Sequence, residues 1–215
     1  MNREPLRRTM DMQAEDHAWN LLAGLDPGDV CVRSLSTFDP SAGTYAVSVF
    51  DMPVTVAPAA RTVSGTRPDS ELILKRMAYF SRLSILHYLI AAQDFPLAGR
   101  LVGPADLMAG GEFYTAGSHR LPLHAVAAGY ARDAKEFLMR GIRFGGKPRP
   151  HGDAAVELLP FPRLPVTIIL WLENDEFTAR ADLLFDATCE RQVPPDILWS
   201  IAMLCLGVMR PSPAG

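Results

Sequence analysis

The chain has 215 residues, 48% of them hydrophobic and 21% charged, with a formal net charge of -3. That balance suits one globular domain with a substantial core. With no basic stripe evident, it argues against nucleic-acid binding driven by phosphate contacts. The short cationic cluster Arg140 to Arg149 reads as a helix end whose cations complement the dipole.

Cys31, Cys189 and Cys205 stand alone, with no CxxC pair. This argues against an iron–sulfur or zinc-ribbon site built from this chain alone and fits a reducing compartment. The N-terminus has no apolar core for a signal peptide. The longest strongly apolar stretch, Trp199 to Met209, is far short of the roughly 20 residues of a membrane span. The expectation is a soluble cytoplasmic protein with a polar tail over 1–10, one domain over 11–209 and a second tail over 210–215.

Taken in order, Asp11 to Leu25 has the apolar spacing of a first helix. Val30 to Leu35 fits a short helix or a strand. Thr44 to Phe50 alternates as a strand, Asp51-Met52-Pro53 turns, and Val54 to Val56 returns, with Pro53 and Pro58 favouring an edge. Ala59 to Arg67 reads as a loop with a short strand at Arg61 to Val63. Pro68 to Gln93 carries the longest helical pattern, opened by Pro68 with Asp69 and Glu71 in its first turn. Ala98 to Gly117 is irregular apart from one short turn at Pro104 to Met108.

A further helix is expected over Pro122 to Phe144, stopped by Gly145. Val156 to Leu159 is a short strand before the Pro160-Phe161-Pro162 break. Pro165 to Asp186 is the strongest architectural signal: a strand apolar on both faces, an acidic turn, and a return strand that buries Ala179, Ala181, Leu183 and Phe185. A last apolar helix begins at Pro194 or Pro195 and reaches Met209. With no βαβ rhythm, the fold class is α+β: an antiparallel sheet of about four to six strands built from hairpins, with helices mainly on one face.

The order AWNLLAGLDP, YAVSVF, ILHYLIAAQDFPLAG, GGEFY and PRLPVTIILWLENDEFTARADLLFDATC, followed by an apolar helix, resembles the uncharacterised prokaryotic family Domain of Unknown Function 3786. The similarity runs from about Trp19 to Met209. Its most telling matches are His87-Tyr88 and the Trp171…Glu176-Phe177…Leu184-Phe185-Asp186 stretch. The resemblance implies no established activity. Some relatives add a four-cysteine iron–sulfur module of the corrinoid-protein kind, which implies an anaerobic redox or one-carbon setting. This chain lacks those cysteines, so such a role would need a partner chain or a non-cysteine site.

Individual residues offer several candidate chemistries. His87-Tyr88 lies in the long helix and suits a ligand or proton donor beneath a loop such as Gly110 to Gly117, which carries Phe113; the competing reading is a core pair bonded to backbone. His119 and His124 stand five positions apart, off the helical metal spacing. Glu173, Asp175, Glu176, Asp182 and Asp186 make an acidic hairpin that suits a cation or acid–base pair, or merely a polar turn and a protected edge. Cys189 reads as structural. The Gly145-Gly146-Lys147 loop follows a helix rather than preceding one, the wrong end for phosphate.

The expected ligand-contacting set is therefore His87, Tyr88, Phe113, Trp171, Glu176 and Asp186. No metal is assigned, and catalytic residues and cofactor stay open. The first functional expectation is a binding or accessory protein working through a protein partner or a small ligand. The alternatives are an enzyme with a helix–sheet pocket around His87, Tyr88 and Asp186, and a subunit of a larger complex joined through the last helix.

Overall fold

The computed structural model describes residues 4–108 and 120–211. α1 runs Glu4–Ala23, beginning earlier than the Asp11 start expected from apolar spacing. α2, Pro27–Ser34, resolves the helix-or-strand ambiguity. Asp26 caps it, accepting a hydrogen bond from the Asp29 amide at 2.8 Å, and Leu35 ends it in the left-handed region at φ 54°.

The strands form two antiparallel sheets rather than one. The first is a meander, β1 (Thr37–Asp39), β2 (Thr44–Val49), β3 (Met52–Ala57) and β4 (Thr62–Gly65), paired in that order. The β2–β3 connection is the two residues Phe50-Asp51, at φ 49° and 59°. Both angles suit the primed turn that matches strand twist, a geometry usually filled by Asn-Gly. Phe50 is affordable there because its ring is buried edge-on against Phe144, 6.3 Å between centroids. Its amide also donates to the Leu159 carbonyl at 3.1 Å, joining the two sheets.

The long helical pattern over Pro68 to Gln93 is interrupted. α3 (Pro68–Glu71) passes into a π turn at Leu72–Arg76, then through Met77 (φ -115°, ψ 24°) into α4 (Ala78–Ala91). The wide turn adds a residue to the helical repeat, so that Ile73 and Leu74 within it and Ser81, Ile85 and Leu86 after it are all buried. The next helix divides as well, into α5 (Leu123–Gly129) and α6 (Ala134–Arg143). Asp133 caps α6 by accepting from the Glu136 amide at 2.8 Å, a start signal inside the expected span.

The second sheet contains β5 (Leu101–Val102), β6 (Lys147–Pro148), β7 (Ala154–Phe161), β8 (Leu164–Trp171) and β9 (Arg180–Asp186), in the order β5-β9-β8-β7-β6. β8 is central, and every residue from Leu164 to Leu170 is buried, as its two apolar faces predict. β7 runs through Pro160 to Phe161 rather than stopping at Leu159, and Pro162 lies in the turn that follows. A register irregularity between Leu158 and Phe161 accommodates Pro160, which has no amide to give to the ladder. α7 (Pro195–Val208) packs against α4, and most of its apolar residues, Trp199 and Met203 apart, are buried in the chain's own core. The α+β class holds, with helices against both sheets. No described helix is long and apolar enough to cross a membrane.

Candidate functional site

Tyr88 is a core residue. Its ring is fully buried and stacks on Phe161, with centroids 4.5 Å apart and planes 14° from parallel. Its hydroxyl donates to the Ser34 carbonyl at 3.0 Å and accepts from the Arg163 amide at 3.1 Å. Burial raises the phenol well above its usual range, so it stays protonated as this geometry requires. Tyr88→Phe leaves one carbonyl and one amide unpaired and is expected to lower unfolding stability by about 1–3 kcal/mol. Urea denaturation reads the change directly; an unaltered midpoint would mean that neither bond holds α2 and the β7–β8 turn.

Its neighbour His87 faces another way and is partly buried. Burial lowers its pKa, opposed by Asp196 and assisted by His17. The folded state therefore favours the neutral ring. His87 contributes stability above its unfolded value of about 6.5, and that stability is lost as the pH falls from there through the lower folded value. His87→Gln is expected to flatten the decline in thermal midpoint between about pH 7 and about pH 5. Parallel profiles for the two proteins would contradict this.

Asp186 is 4% exposed and closes a ring of donors. It accepts from the amides of Ala98 (3.0 Å), Gly99 (2.8 Å) and Thr188 (3.0 Å), and from Thr188 Oγ1 (2.7 Å). Burial pushes its carboxyl up, but these four bonds outweigh it and hold the pKa below the usual value. The groups that bond Asp186 and those that act on His87 and Tyr88 have no residue in common.

Of the other expected ligand contacts, Trp171 and Glu176 lie on the surface. Trp171, at the end of β8, donates from Nε1 to Asp182 at 2.8 Å beneath the Arg180 guanidinium. Glu176 is an exposed turn residue whose amide donates to Asn174 Oδ1 at 2.9 Å. Glu173 is paired with Arg132. Phe113 and His119 lie outside the described residues, and His124 is exposed on α5. Burial pushes the Cys189 thiol up to about 12, consistent with a structural side chain. Among the described residues, no group of three or more His, Cys, Asp or Glu is placed to hold a metal.

A different place in the fold combines concavity with unbalanced charge. The interrupted helix, the C-terminal half of α6 and the end of α7 enclose an open cleft with a volume of ≈ 940 Å³. Among the described residues, the cations Lys75, Arg76, Arg140, Arg143 and Arg210 line it, with Asp69 and Glu71 as the carboxylates. Both carboxylates are already engaged. Asp69 takes the fork of Arg143, with Nη2 donating at 2.7 Å and Nε at 3.1 Å, and Glu71 pairs with Lys75. Arg143 holds the Asp69 carboxyl below its usual range.

Arg140 is fixed by the fold. Its Nε donates to the Val208 carbonyl at 2.5 Å and its guanidinium lies 4.9 Å over the Phe144 ring. Tyr130, which feels the Arg140 charge, is buried, with its phenol pushed up to about 12 by that burial. Its hydroxyl has no hydrogen-bond partner among the described residues. The same cleft is lined by the apolar side chains Leu72, Met77, Phe80, Met203 and Leu206. Gly207 lets Met77 pack directly against α7: a Cβ there would stand 2.1 Å from Met77 Cε.

The candidate-residue search missed this cleft. Its signals were a proline-opened helix with acidic first-turn residues and a cationic cluster at Arg140 to Arg149, both visible but read as separate helix ends. What joins them is the packing of α7, which brings Gly207 and Arg210 to the same opening.

These features define an α+β protein with a cleft lined by cations and apolar side chains. Over residues 26–207 the chain matches the family described as Domain of unknown function (DUF3786), and it belongs to that family. No protein of curated function and no solved structure matches it.

Proposed function

We propose that this chain is a binding protein whose cleft between the π turn, α6 and α7 holds an anion. One observation carries the reading: among the described residues, five cations and two carboxylates line one opening, in a chain whose net charge is -3. The two carboxylates are internally paired, so the local field favours an anion and steers it inward. The volume lies near the upper end of the roughly 300–1,000 Å³ usual for small-molecule sites. Arg143 offers the planar fork that suits carboxylate and phosphate, and Asp69 already demonstrates that match.

The described lining is arginine, lysine, carboxylate and apolar carbon. Those groups suit anion recognition better than ligation of an iron–sulfur or corrinoid centre. Titration calorimetry with pyrophosphate as the probe tests the reading. The expected result is about one site per chain, with affinity falling as salt rises from about 50 to about 500 mM. Absence of binding, or binding indifferent to salt, would overturn it.

A further inference from the structure

We infer that the anion taken by the cleft is an amphiphile, a single molecule with a phosphate or carboxylate head and an apolar chain. This rests on the anion-binding reading above and specifies its ligand.

The cleft is lined by both cationic and apolar side chains. A small hydrophilic anion needs only the guanidinium rim. It would leave most of a ≈ 940 Å³ space as apolar wall facing water, since one water-sized molecule fills only about 30 Å³. The wall is considerable: Leu72, Met77, Phe80 and Met203 are only partly buried and all face the opening. Phe80 is held edge-on against Trp199, 5.5 Å between centroids, so that side stands ready before a ligand arrives. Met77 and Met203 are unbranched and polarisable, suited to an apolar chain of variable path.

The head has a defined place. Asp69 occupies the Arg143 fork with two hydrogen bonds, as an incoming carboxylate or phosphate would. Arg140 is anchored nearby by Val208 and Phe144 and does not need to be ordered on binding. Arg76 and Arg210 have no ion-pair partner among the described residues and complete the positive rim.

Calorimetry with butyl phosphate and dodecyl phosphate, both kept below micelle formation, reads the chain contribution. Each methylene buried adds up to about fourfold in affinity, so dodecyl phosphate is expected to bind on the order of 100-fold tighter than butyl phosphate. Dodecyltrimethylammonium, with a comparable tail and the opposite charge, should bind at least about tenfold more weakly than dodecyl phosphate. Gly207→Ala displaces Met77, a lining residue, from the position it holds against Gly207, and should weaken dodecyl phosphate by about tenfold more than pyrophosphate.

Equal affinity for the two alkyl phosphates, with pyrophosphate still bound, would overturn the amphiphile and leave the anion site. Equal affinity for the two dodecyl compounds would overturn the role of the head group. Failure of every anion, pyrophosphate included, would overturn both readings. Sedimentation with phosphatidylglycerol vesicles, in place of binding to monomeric dodecyl phosphate, would overturn the single enclosed ligand.

Discussion

Asp186→Ala is expected to unfold with a free energy about 3 kcal/mol below that of the parent chain, measured by urea denaturation near neutral pH. The loss comes from groups left unpaired. Four donors converge on this carboxylate, and three are backbone amides with no freedom to turn elsewhere. Alanine leaves them all without an acceptor at the end of the buried strand β9. The loss spreads locally, because the loop they hold leads into β5, whose Leu101 pairs with Asp186 itself.

The pH dependence has a definite sign. The folded pKa of Asp186 lies below its unfolded value, so its contribution is fully present above the unfolded value of about 3.9. It is lost as the pH falls through the lower folded value. The gap between parent and variant should therefore narrow only in strong acid. A variant as stable as the parent at neutral pH would mean that the Ala98–Gly99 loop is held by something other than Asp186.

The second large effect concerns the rim of the cleft. Replacing Arg76, Arg143 and Arg210 together by glutamine should weaken pyrophosphate binding by at least about thirtyfold. The thermal midpoint should move by no more than about 2 °C, since exposed ion pairs contribute little to stability. Arg143 has a side chain 55% exposed even while paired with Asp69, so its loss touches little of the core. Arg140 is left in place because it also supports the end of α7 and the face of Phe144. Unchanged affinity in a folded triple variant would remove the rim from the site.

The parts of the fold that sequence makes visible are those with a clean period. β8 and β9 follow the period of two, and the central strand is buried over both faces as its composition requires. The interruptions were less visible. The π turn at Leu72–Arg76 breaks no residue-type rule, because Leu, Ile and Lys all favour a continuous helix; it comes from fitting two apolar faces to one core. The break before α6 did carry a signal in Asp133, outweighed by the apolar spacing around it. The division into two sheets depends on which hairpin neighbours which, and that is set by long-range packing.

The surroundings of the expected site residues were hidden for a related reason. His87, Tyr88 and Asp186 are residue types that carry chemistry, and they stand beside apolar runs. The fold uses Tyr88 and Asp186 to satisfy backbone groups between elements, which a single sequence does not distinguish from a pocket. The cleft instead collects cations from three distant segments, around Arg76, Arg140 and Arg210. Each was unremarkable alone. Only the packing of α7 against α4, with Gly207 over Met77, makes them one surface.

The measurement that tests this account most directly is a two-dimensional amide NMR titration of the intact chain with pyrophosphate, followed residue by residue. The account predicts shifts that saturate together and cluster at Arg76–Phe80, Arg140–Arg143 and Leu206–Arg210. Shifts confined to other surfaces, such as Arg33 and Arg163, or scattered over all exposed arginines without saturation, would contradict it.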